Sequence, residues 1–345
     1  MLQPPIEPML AKLTPSIPQD GAWVYEPKWD GFRCLAFIKG GNVYLQSRDS
    51  RPLARYFPEL AEALPRILAG PCVLDGEIVL MGPRGLEFDT LQLRLHPAES
   101  RVRKLANETP ASYVAFDLLW EGGDDLRADP FAARRARLET LLGGVPPPLH
   151  LTPATTDPAV AADWFSRFEG AGFDGVIAKP AAVTYQPGVR AMAKIKHLRT
   201  ADCVVGGYRW YKDMEGRAIG SLLLGLYDDD SAFHLVGHTS SFSAKEKQEL
   251  VPLLAPYVTS DEGESFDGRA PGGPSRWSQG KDQSWVRLRP ELVCEVTFDY
   301  LQGPRFRHAS TFKRWRTDKP PADCRFDQFI AAVPAELAEV FAARG

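Results

Sequence analysis

Residues 25–33 read YEPKWDGFR, which places a lysine between a proline and a tryptophan and just before an aspartate and a glycine. Lys28 therefore stands among aromatic residues, although an ammonium group is normally found in solvent. The alternation of a strand puts Glu26 and Lys28 on one face of residues 22–28, with aromatic side chains on the other. The stretch predicts a strand that carries a carboxylate and an amine on the same face.

Two other predicted strands show the same separation of charged and apolar side chains. In VLDGEIVL, Asp75 and Glu77 share one face, and in AKIKH, Lys194 and Lys196 do so. One interpretation is a sheet with a single solvated face. The other is a cleft in which cations and carboxylates from three strands converge.

The composition of the whole chain is that of a soluble globular protein. It has 345 residues, of which 44% are hydrophobic and 25% charged, and this length suggests two domains. No apolar run reaches the ~20 residues that span a bilayer, and the N-terminus has no signal pattern, so we expect a cytoplasmic protein. The five cysteines are scattered and odd in number, which argues against a disulfide framework or a cysteine zinc site.

A net charge of −3 does not indicate a nucleic-acid partner, so any site for a polyanion must be a local patch. Residues 194–212 and 305–319 both interleave Lys and Arg with aromatic residues, which is typical of surfaces that follow a nucleic-acid backbone. Each stretch fits an ordinary solvated charged face equally well.

The spacing of apolar residues divides the chain into two parts. Over 1–200, an α/β or α+β domain is expected, with helices at 58–70, 130–142 and 157–169 and strands at 33–47, 72–81, 112–120, 175–180 and 191–197. Over 201–345, short strands with Gly-rich turns and one helix at 243–257 predict a small β-barrel of the oligonucleotide-binding (OB) type. A loop is expected at 260–284 and a C-terminal helix at 327–343.

The lysine of the opening stretch fits covalent chemistry. An ordinary lysine is only ~0.04% neutral at pH 7, and partial burial and neighbouring cations favour the neutral, nucleophilic form. Lys194, Lys196 and a divalent metal are candidates for those cations. Glu77 and Asp174 supply the oxygen ligands that Mg²⁺ and Mn²⁺ prefer. Such an amine could attack phosphorus and leave a phosphoramidate, with cations neutralising the phosphates.

Lys-x-Asp-Gly alone is a weak signal, and the ordered set of motifs decides. In chain order they are Lys28-Trp29-Asp30-Gly31, Ser47-Arg48, Asp75-Gly76-Glu77, Phe116-Asp117, DGVIAK (174–179), Lys194-Ile195-Lys196 and RWRTDK (314–319). The series resembles the motifs of the covalent nucleotidyltransferases, which include ATP-dependent DNA ligases, RNA ligases and mRNA capping enzymes. The wording LDGEIV, FDLLW and RWRTDKPP is most similar to bacterial ATP-dependent DNA ligases of the ligase C type and to the ligase domain of bacterial end-joining ligases.

This resemblance implies an α+β nucleotidyltransferase (adenylation) domain with antiparallel sheets, followed by a smaller OB-fold domain with a C-terminal helix. It implies that Lys28 takes AMP from ATP, that Glu26 reads the edge of the adenine, and that Phe116 stacks on the base. It also implies that the second domain closes for lysine adenylylation and then swings away, with a hinge near 197–202.

The remaining matches are charged residues, with roles implied by the resemblance. They are Arg33 and Arg48 for the nucleotide and the 5′-phosphate of a nick, Glu77 for the ribose and a metal ion, Asp174 for the metal where the family more often has Glu, Lys179 for the nucleotide, Lys194 and Lys196 for phosphates, and Arg316, Asp318 and Lys319 as catalytic residues of the last motif.

The implied function is an ATP-dependent DNA ligase in DNA repair, with ATP and Mg²⁺ or Mn²⁺ as cofactors and AMP carried covalently on Lys28. The implied partner is nicked double-stranded DNA, with a repair polymerase or a Ku-like end-joining factor as further candidates. We expect a monomer in the bacterial cytoplasm, at the nucleoid. An RNA ligase, a capping-type enzyme and a non-catalytic nucleic-acid-binding protein remain as alternatives.

Overall fold

The computed structural model describes residues 1–68, 70–82, 85–197, 199–260, 266–267, 284–299, 301–329 and 340–341. The chain forms two compact units, one comprising Met1–Lys196 and Ala332–Gly345 and the other His197–Ala331. The predicted domain limits, 1–200 and 201–345, differ from this division at the end of the chain, where Val340 and Phe341 belong to an apolar cluster of the first unit. The predicted loop at 260–284 and helix at 327–343 lie mostly outside the described residues.

The first unit mixes strands and helices, as expected. Its strands are β1 Leu10–Leu13, β2 Trp23–Pro27, β3 Phe32–Lys39, β4 Asn42–Ser47, β5 Cys72–Val79, β6 Met81–Gly82, β7 Gly85–Leu86, β8 Ser112–Glu121, β9 Asp124–Asp125, β10 Leu149–Leu151, β11 Val176–Pro180 and β12 Arg190–Ile195. Its helices are α1 Pro58–Ile67, α2 Phe88–Gln92, α3 Glu99–Glu108, α4 Phe131–Leu141 and α5 Pro158–Arg167.

These strands form two main sheets. One has the order β10-β8-β5-β3-β4, with β9 beside β8, and the other has the order β1-β12-β11-β2. Most pairs are antiparallel, whereas β10 runs parallel to β8 and β1 parallel to β12. The β3–β4 hairpin turns at Gly40 and Gly41, whose φ values of 57° and 75° belong to the tight turn that matches strand twist.

The second unit is a β-barrel. Its elements are β13 Arg199–Trp210, β14 Ile219–Tyr227, β15 Phe233–Thr239, α6 Ala244–Leu254, β16 Val286–Arg287, β17 Val293–Phe298, β18 Leu301–Gln302, β19 Arg305–Phe306 and β20 Thr311–Trp315. The strand order is β15-β14-β13-β17-β20, with β16 beside β13.

A parallel bridge between Thr239 and Ser310 joins the two ends of this strand order. The Ser310 N–H donates to the carbonyl of His238 at 3.0 Å, which partly closes the barrel. A capping box of Ser243 and Glu246 starts α6 between the third and fourth long strands. Five long strands and one helix in this arrangement confirm the predicted OB-type barrel.

No helix in the described part of the chain is long and apolar enough to cross a membrane.

Gly31 of the Lys-x-Asp-Gly stretch allows β3 and β5 to approach closely beside the predicted site. A Cβ added at Gly31 would lie 2.1 Å from the carbonyl oxygen of Ile78 and 3.0 Å from Cγ of Glu77. The motif therefore needs glycine for packing against β5, whatever the nucleotide requires. Gly70 is different, because a Cβ added there meets no described atom within 4 Å.

Substituting Gly31→Ala is expected to lower the free energy of unfolding by more than about 2 kcal/mol, because the backbone of β5 must move. Gly70→Ala is the matched control and should change it by less than about 0.5 kcal/mol. Urea unfolding followed by tryptophan fluorescence measures both. Equal stability of the two variants would show that β3 and β5 separate at no cost.

Candidate active site

A cavity of about 220 Å³ in the first unit brings together residues that lie far apart in the chain. Pro8, Met9, Leu10 and Ala11 form one part of its wall. Eight of the residues singled out from the sequence line it as well: Glu26, Lys28, Arg33, Arg48, Glu77, Phe116, Lys179 and Lys194. The interpretation as a cleft of converging charges is therefore the correct one.

Lys28 is held beside Asp174 at the end of β2. Its Nζ lies 2.7 Å from Asp174 Oδ2, and Lys196 Nζ lies 2.7 Å from the same oxygen. The backbones also pair, since the Lys28 N–H donates to the carbonyl of Gly175 at 2.9 Å and the Asp174 N–H donates to that of Lys28 at 3.2 Å. Burial raises the pKa of Asp174, but the ammonium groups of Lys28 and Lys196 outweigh it and lower that pKa below its usual value.

Glu77 has the opposite electrostatic environment. It stands opposite Arg33 in the β3–β5 register. Burial raises the pKa of Glu77 from its ordinary 4.5 to about 7, although Arg33 and Lys28 act in the other direction. Two carboxylates of one site therefore differ in protonation near neutral pH.

Arg33 is bound by a partner that we did not predict for it. Its guanidinium donates from Nε to Asp75 Oδ1 at 2.6 Å and from Nη2 to Asp75 Oδ2 at 2.7 Å. Tyr185 donates its hydroxyl to the same carboxylate at 2.7 Å. Burial lowers the pKa of Arg33, but Asp75 outweighs it and raises that pKa. This fork fixes the Arg33 side chain at the cavity wall.

Glu26 and Phe116 meet through a buried lysine. Lys179 Nζ lies 2.7 Å from Glu26 Oε2 and donates to the carbonyl of Phe116 at 3.0 Å. Two cations also contact the Phe116 ring, with Lys179 Nζ 4.7 Å and Arg33 Cζ 4.4 Å from its centroid. Burial lowers the pKa of Lys179, while Glu26 acts against that.

Two further cations lie at the cavity. Arg48 is exposed and Lys194 is partly buried. Burial lowers the pKa of Lys194, and the nearby Lys196, Lys28 and Arg48 lower it further. Such a group of positive charges suits a polyphosphate, which can offset their mutual repulsion.

The last motif lies in the second unit and is organised by Asp202. Arg316 Nη1 contacts both carboxylate oxygens of Asp202, at 2.8 and 2.9 Å, and Lys319 Nζ lies 3.0 Å from Oδ2. Asp318 accepts from Nε and Nη2 of Arg316 at 2.9 and 2.8 Å. The three predicted residues thus form one ionic cluster around Asp202, which the sequence analysis included only in the predicted hinge at 197–202.

The number and type of side chains at Glu77 and Asp174 show which kind of metal site they fit. Among the described residues, no group of three or more His, Cys, Asp or Glu side chains is placed to hold a metal ion. Mg²⁺ typically takes one or two carboxylates and completes its shell with water and substrate phosphates. Two carboxylates beside a cationic cavity fit that mode, whereas they do not fit an all-protein metal cage.

Sequence reasoning missed several residues that complete the site. The segment 8–11 carries no charge. The strand that begins within it, β1, has only four residues, so the pattern was too short to predict an element. Asp75 was noted as sharing a face with Glu77 and as the first residue of the motif Asp75-Gly76-Glu77, but it was given no role. Tyr185 and Asp202 had no local signal, because their partners lie 110 and 114 residues away.

The raised pKa of Glu77 predicts a pH dependence of stability. Between about 4.5 and about 7 the folded chain keeps a proton that the unfolded chain releases, so stability falls as the pH rises through this range. Relative to Glu77→Gln, the wild type should lose roughly 1–3 kcal/mol across the range. Urea unfolding in EDTA from pH 4.5 to 8 measures this difference. Glu62→Gln, at an exposed glutamate of α1, is the control. A difference between wild type and Glu77→Gln that does not change with pH would contradict the assignment.

Matches to known protein families and to individual proteins cover most of the chain. Residues 8–196 match the family described as "ATP dependent DNA ligase domain", and residues 215–319 match "ATP dependent DNA ligase C terminal region". The chain is 49% identical to DNA ligase C of Mycobacterium tuberculosis over 352 residues, covering 98% of each chain. It is 50% identical to DNA ligase C2 of Mycolicibacterium smegmatis over 336 residues, covering 94% of each.

The structure is also similar to a solved one, that of mycobacterial DNA ligase D complexed with ATP and MES. The TM-score is 0.50 and the identity 29%, with 92% of this chain and 97% of that chain covered. Family matches over both units and relatives of about half identity along nearly the full length confirm the resemblance that the motifs indicate. The chain belongs to the ATP-dependent DNA ligase family.

Proposed function

We propose that this protein is an ATP-dependent DNA ligase that joins a 3′-hydroxyl to a 5′-phosphate at a nick, through AMP carried on Lys28. The observation that supports it most is the position of Lys28. Its side chain is 18% exposed, lines the cavity and is held by Asp174 beside several cations. A lysine that already lines the cavity can contact a phosphate bound there without first moving in from the solvent.

In the first step, Lys28 Nζ attacks the α-phosphorus of ATP. The nitrogen attacks as a neutral amine. A nitrogen–phosphorus bond forms, the bond from that phosphorus to the bridging oxygen breaks, pyrophosphate leaves with the electron pair, and the nitrogen releases one proton to solvent. Asp174 orients the amine through the 2.7 Å contact. Lys194 and Lys196 balance the charge of the phosphates.

The base and sugar are assigned to the inner part of the cavity. Glu26 would accept from the adenine edge, Phe116 would stack on the ring, and Lys179 would hold both through its two contacts. Arg33 and Glu77, which are paired across β3 and β5, would bind the ribose. Glu77 and Asp174 would hold Mg²⁺ or Mn²⁺, which neutralises phosphate charge when bound.

The later steps use DNA. AMP passes from Lys28 to the 5′-phosphate of the nick, and the 3′-hydroxyl then attacks that phosphorus and releases AMP. Arg48, exposed at the cavity, is assigned to the 5′-phosphate. Arg316, Asp318 and Lys319 are assigned to the first step, where they would orient the departing pyrophosphate.

Lys28→Ala is expected to abolish both labelling of the protein by radioactive ATP with Mn²⁺ and sealing of nicked DNA, because no other amine takes its position. Lys39→Ala, at an exposed lysine that ends β3, is the control and should behave as the wild type. Acid-labile adenylate on the protein is the readout. Nick sealing by Lys28→Ala at the wild-type rate would rule out the hypothesis of a ligase that carries AMP on Lys28.

Arg316→Ala and Lys319→Ala are expected to lose lysine labelling but to seal a nick that already carries a 5′-adenylate, since that substrate bypasses the first step. Arg325→Ala, whose guanidinium contacts the carbonyl of Asp228 at 2.6 Å, is the control in the same unit. Normal labelling by both variants would remove these residues from the catalytic set.

The same assays separate the alternatives. Labelling by GTP rather than ATP would favour a capping-type enzyme, and preference for RNA at the 3′-hydroxyl side would favour an RNA ligase. No labelling at all would leave a nucleic-acid-binding protein. We further propose a repair role as a monomer in the bacterial cytoplasm, with a repair polymerase or a Ku-like factor as partner. Co-purification and sedimentation test these points.

A further inference from the structure

Arg135 of α4 lies outside the motif series but contacts Glu26, the residue assigned to the edge of the adenine. Its Nη1 lies 3.3 Å from Glu26 Oε1. Nη2 donates to the carbonyl of Thr152 at 2.8 Å, and Nε donates to Glu139 Oε1 at 2.7 Å. The Arg135 side chain is only 8% exposed, so three partners fix it in one orientation.

Glu26 is thereby held from two sides. Arg135 contacts Oε1, and Lys179 contacts Oε2 at 2.7 Å. Two cations on different oxygens fix the plane of the carboxylate, whereas one cation alone would leave it free to rotate about the remaining contact. The carboxylate is also 97% buried, so solvent cannot take the place of either partner.

The same helix also binds the strand that carries Phe116. Arg134, the neighbour of Arg135, forms a buried bidentate pair with Asp117 at 2.8 and 2.9 Å. Asp117 directly follows Phe116 on β8, while Glu26 lies on β2 of the other sheet. Adjacent arginines therefore tie one strand of each sheet to α4, and they fix the spacing between Glu26 and Phe116.

This spacing matters for the identity of the base. Adenine carries an amino donor at position 6, where guanine carries an oxygen acceptor. An ionised carboxylate only accepts hydrogen bonds. Glu26 fixed towards that position would bind adenine and repel guanine, while a carboxylate free to rotate could turn away from the guanine oxygen.

We propose that Arg135 is a positioning residue that sets the selectivity for adenine over guanine nucleotides by fixing the Glu26 carboxylate. The inference rests on the proposed transfer of AMP to Lys28. Arg135 is not among the residues that line the cavity, and its contacts given above do not include Lys28, so its loss should change nucleotide binding more than the chemical step.

The test measures kcat and KM for the nucleotide in repeated sealing of nicked DNA, with ATP and with GTP, because labelling of the protein alone is a single turnover. Arg135→Met keeps the aliphatic stem but removes the charge, and it should raise KM for ATP about tenfold or more while kcat changes less than about threefold. The preference for ATP over GTP should fall by about tenfold or more. Arg135→Lys restores a charge without the fork and should lie between Arg135→Met and wild type.

Arg137→Met is the matched control on α4. Arg137 contacts Glu121 at 2.9 Å and Asp124 at 3.2 Å, away from the cavity lining, so its loss should leave the preference unchanged. Thermal melts of all variants check folding. If Arg135→Met does not fold, the preference of Arg135→Lys for ATP over GTP decides the test.

The outcomes separate this inference from the proposed function. A wild type that takes label from no nucleotide would overturn both. A wild type that labels with ATP, together with folded Arg135 variants of unchanged ATP preference, would overturn only the role of Arg135. If the Arg135 variants lose activity equally with ATP and with GTP, the role of Arg135 is overturned as well, because a purely structural role would act on both nucleotides alike.

Discussion

The ion pair between Lys28 and Asp174 is the contact on which the rest of the site depends. Lys28 directly follows β2, and Asp174 lies just before β11. Besides the 2.7 Å side-chain contact, the Asp174 N–H donates to the carbonyl of Lys28 and the Lys28 N–H donates to that of Gly175. Gly175 makes this junction possible, since its φ is +124° and an added Cβ would lie 1.9 Å from the carbonyl oxygen of Ile195. The Asp174-Gly175 pair thus combines an electrostatic and a steric requirement, and both serve to place one amine.

Much of the first unit could be predicted because its pattern is local. Alternation along β2, β5 and β12 placed Glu26, Lys28, Glu77 and Lys194 on charged faces, and the structure brings all four to one cavity. The barrel was also predictable, since short strands with glycine turns leave few other solutions. The order of the motifs along the chain identified the family, which the tetrapeptide Lys28-Trp29-Asp30-Gly31 alone would not have done. The roles given to individual side chains remain predictions.

The rest depends on contacts between distant residues. Arg33 and Asp75 are 42 residues apart, and Glu26 and Arg135 are 109 apart. In the sequence, Arg134 and Arg135 look like solvated residues of an ordinary helix, because long charged side chains are usually exposed. Their burial follows from carboxylates on two different sheets, which no periodicity reveals. The helix predicted at 58–70 ends at Ile67, where Leu68 is already extended, so its end was also set by context.

The pairing of Arg316 and Lys319 with Asp202 has a further consequence. Each cation already has a carboxylate partner, so an incoming phosphate must displace an anion instead of meeting a bare positive surface. Binding then becomes an exchange of counter-ions, and its free energy is the small difference between two similar electrostatic energies. Such an exchange is readily reversed, which agrees with the proposal that Arg316 and Lys319 act in the first step alone.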